Sequence, residues 1–291
     1  MKYKKNRVNR AKSLWLLAGA TAVAVGGYMY MGRSSQAQAS GSDEGARQPD
    51  QVQREDRGAV APQAKQPEPL TLRARYSQLA GNSTDAENIL FVIGDSQTLR
   101  SMGKAFKSLL GSGASNRVSY WGIEGTTPKK ILVKHVNMAT EQGNQLIAGL
   151  MKKPPIIVIQ LGDNGINSSD ECMKLIMYIN SFYDPSRLPL IVWSGPFPLC
   201  IPASGSRYVL PSCTSDPRCL SVYQARKLNE WTPRVNNAIR SFSNVYFVSP
   251  YEYQPFVERG QPCFTDDGVH ISKDAMSKYV DYLLNRGLSK S

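Results

Sequence analysis

The sequence predicts an α/β fold of three layers, α/β/α, around a central, mostly parallel sheet of five strands. Three observations carry this reading. Short, β-rich runs that are apolar on both faces recur beyond residue 88, as strands buried on both sides do. Helix-length stretches separate them, which suits right-handed crossovers between parallel strands. Most runs stop at a polar turn rich in glycine or serine, and the carboxyl ends of parallel strands are where such sheets gather chemistry.

The chain begins with Lys2, Lys4, Lys5, Arg7, Arg10 and Lys12, followed by an uncharged, mostly apolar run from Ser13 to Gly32. A basic flank before such a run marks a membrane-targeting segment. About 20 residues suffice to span a bilayer, whereas Ala37-Gln38-Ala39 matches a cleavage site; residues 1–39 are thus a signal anchor or a signal peptide. Export to the periplasm or another extracytoplasmic space follows, with residues 13–32 as the expected inner-membrane anchor. Residues 40–87 are dominated by Gln, Pro, Arg, Asp, Glu and Ala, a composition too poor in large apolar groups to offset the entropy of ordering. They read as a linker, although the apolar cluster Leu70 to Leu79 could dock on the domain and move its boundary towards Leu70.

The folded domain is expected over 88–291. Its strand candidates are Ile89 to Ile93, the weaker Val118 to Trp121, Ile156 to Leu161, Leu190 to Trp193 and Val245 to Val248. Helical patterns fall at Leu99 to Leu110, Lys129 to Met151 with a break, Ser169 to Phe182, Val222 to Phe242 interrupted near Pro233, and Ser272 to Asn285. In the last, Met276, Tyr279, Val280, Leu283 and Leu284 share one face and Gly287 follows as a C-terminal stop.

The formal charge of +12 suggests nucleic acid at first sight, yet residues 1–39 carry seven Lys or Arg and no acid, leaving +5 for the remainder. Without a basic stripe interleaved with aromatics, nucleic-acid binding is excluded as a reading. The five cysteines, Cys172, Cys200, Cys213, Cys219 and Cys263, lack the paired spacing of a structural zinc site. Three of them crowd a proline-rich stretch, so disulfides are expected there, with at least one thiol left over.

Chemistry concentrates at the turns. Gly94-Asp95-Ser96-Gln97-Thr98 follows the first strand and opens a helix, placing the Ser96 hydroxyl at the sheet edge and its N–H at a helix N-terminus that favours negative charge. Trp121-Gly122-Ile123-Glu124-Gly125 ends the second strand with two glycines whose backbone could approach a substrate. Leu161-Gly162-Asp163-Asn164 puts an amide donor, Asn164, on the same rim. Near the C-terminus stands Asp266-Asp267-Gly268-Val269-His270. The chain has two histidines, and a serine nucleophile at neutral pH normally needs an imidazole base. His270 has Asp267 three residues upstream, able to hold the other ring nitrogen; His135, in Val133-Lys134-His135-Val136, reads as a helix-surface residue.

In this order the four blocks resemble the SGNH (GDSL-like) hydrolase superfamily over about residues 88–287. The resemblance implies a flavodoxin-like sheet and an ester hydrolase with Ser96 as nucleophile and Asp267 and His270 completing a triad. It implies an oxyanion hole from the Ser96 N–H, Gly125 (Gly122 is the alternative) and Asn164, with no metal and no cofactor. Gln97-Thr98 stands where the family often has Leu. Fold and compartment together suggest O-acyl esters, O-acetyl above all, on an envelope polysaccharide or peptidoglycan. Acyl transfer to a glycan hydroxyl and non-catalytic glycan binding are the alternative functions, and the segment from Pro198 to Leu220 is expected to border the site. Disulfide pairing and oligomeric state are not readable from the sequence.

Overall fold

The computed structural model describes residues 70–82, 88–111, 113–199, 223–257, 265 and 269–288. Five strands, β1 (Leu90–Gly94), β2 (Val118–Gly122), β3 (Ile156–Gln160), β4 (Leu190–Trp193) and β5 (Val245–Phe247), form one sheet in the order β2-β1-β3-β4-β5. Every pairing is parallel, so the sheet is wholly rather than mostly parallel. The chain leaves β1 in one direction to reach β2 and then crosses back to β3. A crevice therefore opens at the carboxyl ends of β1 and β3, where loops diverge to opposite faces.

The alternation of side chains explains the three layers. Leu90 and Val92 of β1 join Ile156, Val158 and Val192 in one apolar cluster, while Phe91 and Ile93 join Ile157, Ile159 and Ile191 in another. The first cluster is covered by α1 (Leu72–Gly81), by α2 (Gly103–Leu109, with the wider turn Thr98–Met102 leading into it) and by Tyr279, Val280, Leu283 and Leu284 of the C-terminal helix. The second is covered by α4 (Glu141–Met151), α5 (Ser169–Asn180) and α6 (Thr232–Ile239, preceded by the wide turn Lys227–Trp231). Between β2 and α4 lies α3, Pro128–Lys130 running on into Ile131–Val136, and α7 (Lys273–Asn285) closes the fold.

Three sequence expectations change. The domain begins near Leu70 rather than at 88, because α1 is part of the core. Thr71 caps α1 through Ala74 N–H and bridges Gly287, Leu288 N–H donates to Leu70 O at 2.8 Å, and Leu72 is fully buried. Gly287 is accordingly not a left-handed helix stop; Arg286 ends α7 with extended backbone, and Gly287 pairs with Thr71. Pro233 does not interrupt its helix. The wide turn before it lets Thr232 N–H reach Lys227 O, and proline in the first turn of a helix sacrifices no needed donor. The expected membrane segment (13–32) and most of the expected linker lie outside the described residues, as do Cys200, Cys213, Cys219, Cys263 and the expected disulfides. No helix among the described residues is long and apolar enough to cross a membrane, and Cys172 is a buried free thiol of α5.

Candidate active site

Ser96 follows the buried end of β1, where Asp95 turns the chain into the helix by accepting Gln97 N–H on its Oδ1 at 3.0 Å. His270 lies 174 residues further on, just before α7, which is capped by Ser272. Folding brings the two predicted residues together, with His270 Nε2 3.0 Å from Ser96 Oγ. This is the reach that proton transfer between a hydroxyl and an imidazole requires.

What places the imidazole there is a residue that the sequence motif did not single out. Gln97 is 1 % exposed. Its Nε2 donates to Val269 O at 2.9 Å and its Oε1 accepts from Ile271 N–H at 3.1 Å, so one amide grips the backbone on both sides of His270. The His270 carbonyl is held in turn by Thr265 N–H at 2.8 Å. A leucine at 97 would fill the space, but it would leave Val269 O and Ile271 N–H without these partners. We expect Gln97→Leu to lower kcat for ester hydrolysis on the order of 10²-fold with KM little changed, because a displacement of about 1 Å in a catalytic group costs that much. Steady-state kinetics on a soluble acetyl ester, beside a melting curve, checks this.

The other ring nitrogen faces Arg100, whose Nη1 is 3.2 Å from His270 Nδ1 while its Nε and Nη2 bond Glu124 Oε1 at 3.2 and 2.9 Å. A guanidinium can only donate. A base that takes the serine proton carries its own hydrogen on Nδ1, facing an acceptor, a part that Arg100 does not fill. Asp267, predicted for that task, lies outside the described residues.

The remaining rim supplies N–H donors. Asn164 is exposed at the end of the β3 turn, and its Nδ2 donates one hydrogen to Asp95 Oδ2 at 3.1 Å. An amide nitrogen has two hydrogens; fixing one on a buried carboxylate leaves the other directed away from Asp95. Burial first, and then the charge of Asp163, hold the Asp95 carboxyl well above the usual range, against the lowering effects of Gln97 N–H, Lys227 and Gln160. Gly122 and Gly125 part company. A side chain at Gly122 would meet Asp95 O at 2.9 Å, so its smallness serves the close approach of β2 to the Ser96 turn. Gly125 has open space around it and φ +66°, a turn conformation that favours glycine. Among the described residues neither Ser96 N–H nor Gly125 N–H has a hydrogen-bond acceptor.

Beneath this rim lies a buried polar network. Asp163 Oδ1 accepts from Lys227 Nζ at 2.7 Å and from Phe197 N–H at 2.8 Å, and its Oδ2 accepts from Gln160 Nε2 at 2.9 Å. Lys227 is 1 % exposed and also donates to Phe197 O at 2.9 Å. The signal that could have found it is a lysine in register, at spacings of four, with Trp231 and Val235 on an apolar helix stripe. His135, expected at a helix surface, is instead buried edge-on against Trp121; burial first, then Lys134 and Lys130, lower its pKa. Its side of the helix faces inward because Ile131, one turn earlier, is fully buried. Among the described residues no group of three or more His, Cys, Asp or Glu side chains could hold a metal ion.

No family model matches the chain, and no curated protein matches it. Solved structures do. A protein from Streptococcus pneumonia named for platelet activating factor is 17% identical over 73% of this chain and 91% of its own, with a TM-score of 0.44. Axe2, an acetylxylan esterase from Geobacillus stearothermophilus, is 15% identical over 69% of this chain and 95% of its own, with a TM-score of 0.42. The two-domain esterase CEX, active on acetylated mannans, is 14% identical over 75% of this chain and 54% of its own, with a TM-score of 0.41.

Proposed function

We propose that this chain is an SGNH-type serine esterase that hydrolyses O-acyl esters, O-acetyl groups in the first place. The single observation behind it is the 3.0 Å contact between Ser96 Oγ and His270 Nε2 at the carboxyl edge of a parallel sheet. Ser96 Oγ attacks the ester carbonyl while His270 Nε2 takes its proton, with Asp267 holding Nδ1–H. The carbonyl oxygen becomes an oxyanion held by Ser96 N–H, Gly125 N–H and the free hydrogen of Asn164 Nδ2. Collapse expels the alcohol, which takes the proton from His270. Water, deprotonated by His270, then attacks the acyl-Ser96 carbonyl, and carboxylate leaves with Ser96 restored.

The proposed setting follows from the N-terminal sequence. Residues 1–39 export the chain and, if retained, anchor it through 13–32, so that the domain meets acylated polysaccharide or peptidoglycan outside the cytoplasm. No cofactor enters this reaction. A fluorophosphonate probe tests the reading directly, since only an activated serine attacks it. We expect one probe per chain on the native protein, mapped by mass spectrometry to the Ser96 peptide, and none after heating. Native protein that resists the probe, or labels equally when denatured, has no activated Ser96.

A further inference from the structure

The stretch from Gly125 to Thr140 holds three lysines, Lys129, Lys130 and Lys134, and no acidic residue. All three are exposed on α3, and no carboxylate among the described residues pairs with them. Lys129 and Lys130 occupy the first turn, after the cap at Thr127 and Pro128, where the helix dipole favours acids and opposes cations. Lys130 and Lys134, four apart on one face, repel each other. Lys134 lies in the last turn, where the dipole favours cations, so local helix physics disfavours this charge pattern at Lys129 and Lys130 in particular.

Its location supplies a reason. Lys130 Nζ donates to Gly125 O at 2.8 Å, so the basic cluster begins one peptide from the N–H assigned to the oxyanion hole. Lys130 thus adjoins the place where an ester carbonyl would sit, with Lys129 next to it in the chain and Lys134 one turn further along α3. The esterase reading does not itself use these cations: the reacting group is neutral, and the developing oxyanion is met by N–H donors.

We infer that Lys129, Lys130 and Lys134 dock a carboxylated polysaccharide, so that the ester presented to Ser96 is carried on a polyanionic glycan. This rests on the esterase reading for what the docked chain undergoes, but the docking itself does not require catalysis. Charge complementarity selects the occupant. A flexible row of ammonium groups suits repeating carboxylates spaced along a sugar chain. An anionic lipid surface fits less well, because α3 spans nine residues, with Val133 and the following Met138 as its exposed apolar groups and no aromatic residue, whereas interfacial helices bury a broad apolar face rich in Leu, Phe or Trp.

The test compares the full chain with Lys129→Gln/Lys134→Gln, and with Lys152→Gln/Lys174→Gln, which removes the same charge from exposed sites elsewhere. Binding of polygalacturonate and of unsubstituted xylan is measured by calorimetry at low and high salt. Acetate release is then followed from an O-acetylated polyuronate and an O-acetylated xylan. We expect salt-sensitive binding of polygalacturonate, weakened about tenfold in the α3 variant and little in the control, and a kcat/KM preference for the acidic ester that falls in parallel. Equal weakening in both variants, or equal binding of the two glycans, overturns the inference. So does lysine-dependent binding of phosphatidylglycerol vesicles without binding of polygalacturonate. If no ester releases acetate while lysine-dependent polygalacturonate binding persists, the docking stands and the esterase reading falls.

Discussion

Alanine at Ser96 or at His270 is expected to lower kcat on a chromogenic acetyl ester by on the order of 10⁴- to 10⁶-fold, and the double variant is expected to be no worse than either single one. The argument lies in the shared proton. At 3.0 Å the imidazole is useful only while a hydroxyl is there to deprotonate, and the hydroxyl is a poor nucleophile without it. Removing either group removes the same step, and what survives is catalysis by binding and by the N–H donors. Progress curves at high enzyme concentration measure the residue of activity. Single losses that multiply in the double variant would mean that Ser96 and His270 act in separate steps. Activity retained by either single variant would move the chemistry elsewhere. Neither substitution touches the core, so the melting temperature should hold.

The parts of this site that could be read in the sequence are those where local chemistry repeats a constraint. Strands β1 and β3 announced themselves because both faces are buried, which forces an unbroken apolar run such as Phe91 to Ile93 or Ile156 to Ile159. The turns after them had to be polar, which exposed Ser96 and Asn164 to inspection. His270 stood out through scarcity. What stayed hidden depends on partners far apart in the chain. Gln97 is an ordinary helix-entry residue until residues 269 and 271 arrive against it, and nothing within ten positions reveals that both ends of its amide are used. Asp163 is one polar residue among others in its turn, yet its carboxylate points inward to a lysine 64 residues away. Leu70 to Leu79 was ambiguous for a related reason. Its partners are Gly287, Leu288 and the face of α7, so a short apolar cluster in polar surroundings gave no sign of where it would dock.

The buried pair also carries the second large effect. Lys227→Met keeps the aliphatic stem and removes the ammonium, leaving Asp163 Oδ1 with Phe197 N–H alone and Phe197 O without its lysine donor. Breaking one side of a buried ion pair strands the other charge, at a cost of about 3–5 kcal/mol, which for a domain of this size is a fall of roughly 10 °C in melting temperature. The loss should depend on pH, with a sign set by Asp95. Its carboxyl is raised by burial first and by Asp163 second; a group that binds its proton more tightly when folded makes stability fall as pH climbs from its unfolded value through its folded one. Lys227 lowers the Asp95 pKa. Without it Asp95 is pushed higher, and the range over which ionisation opposes folding extends upward. The deficit of Lys227→Met relative to wild type should therefore widen as pH is raised through the folded-state value of Asp95, as denaturant melts at several pH values would show. A deficit that stays flat across that range would assign the loss to packing of the lysine stem rather than to its charge.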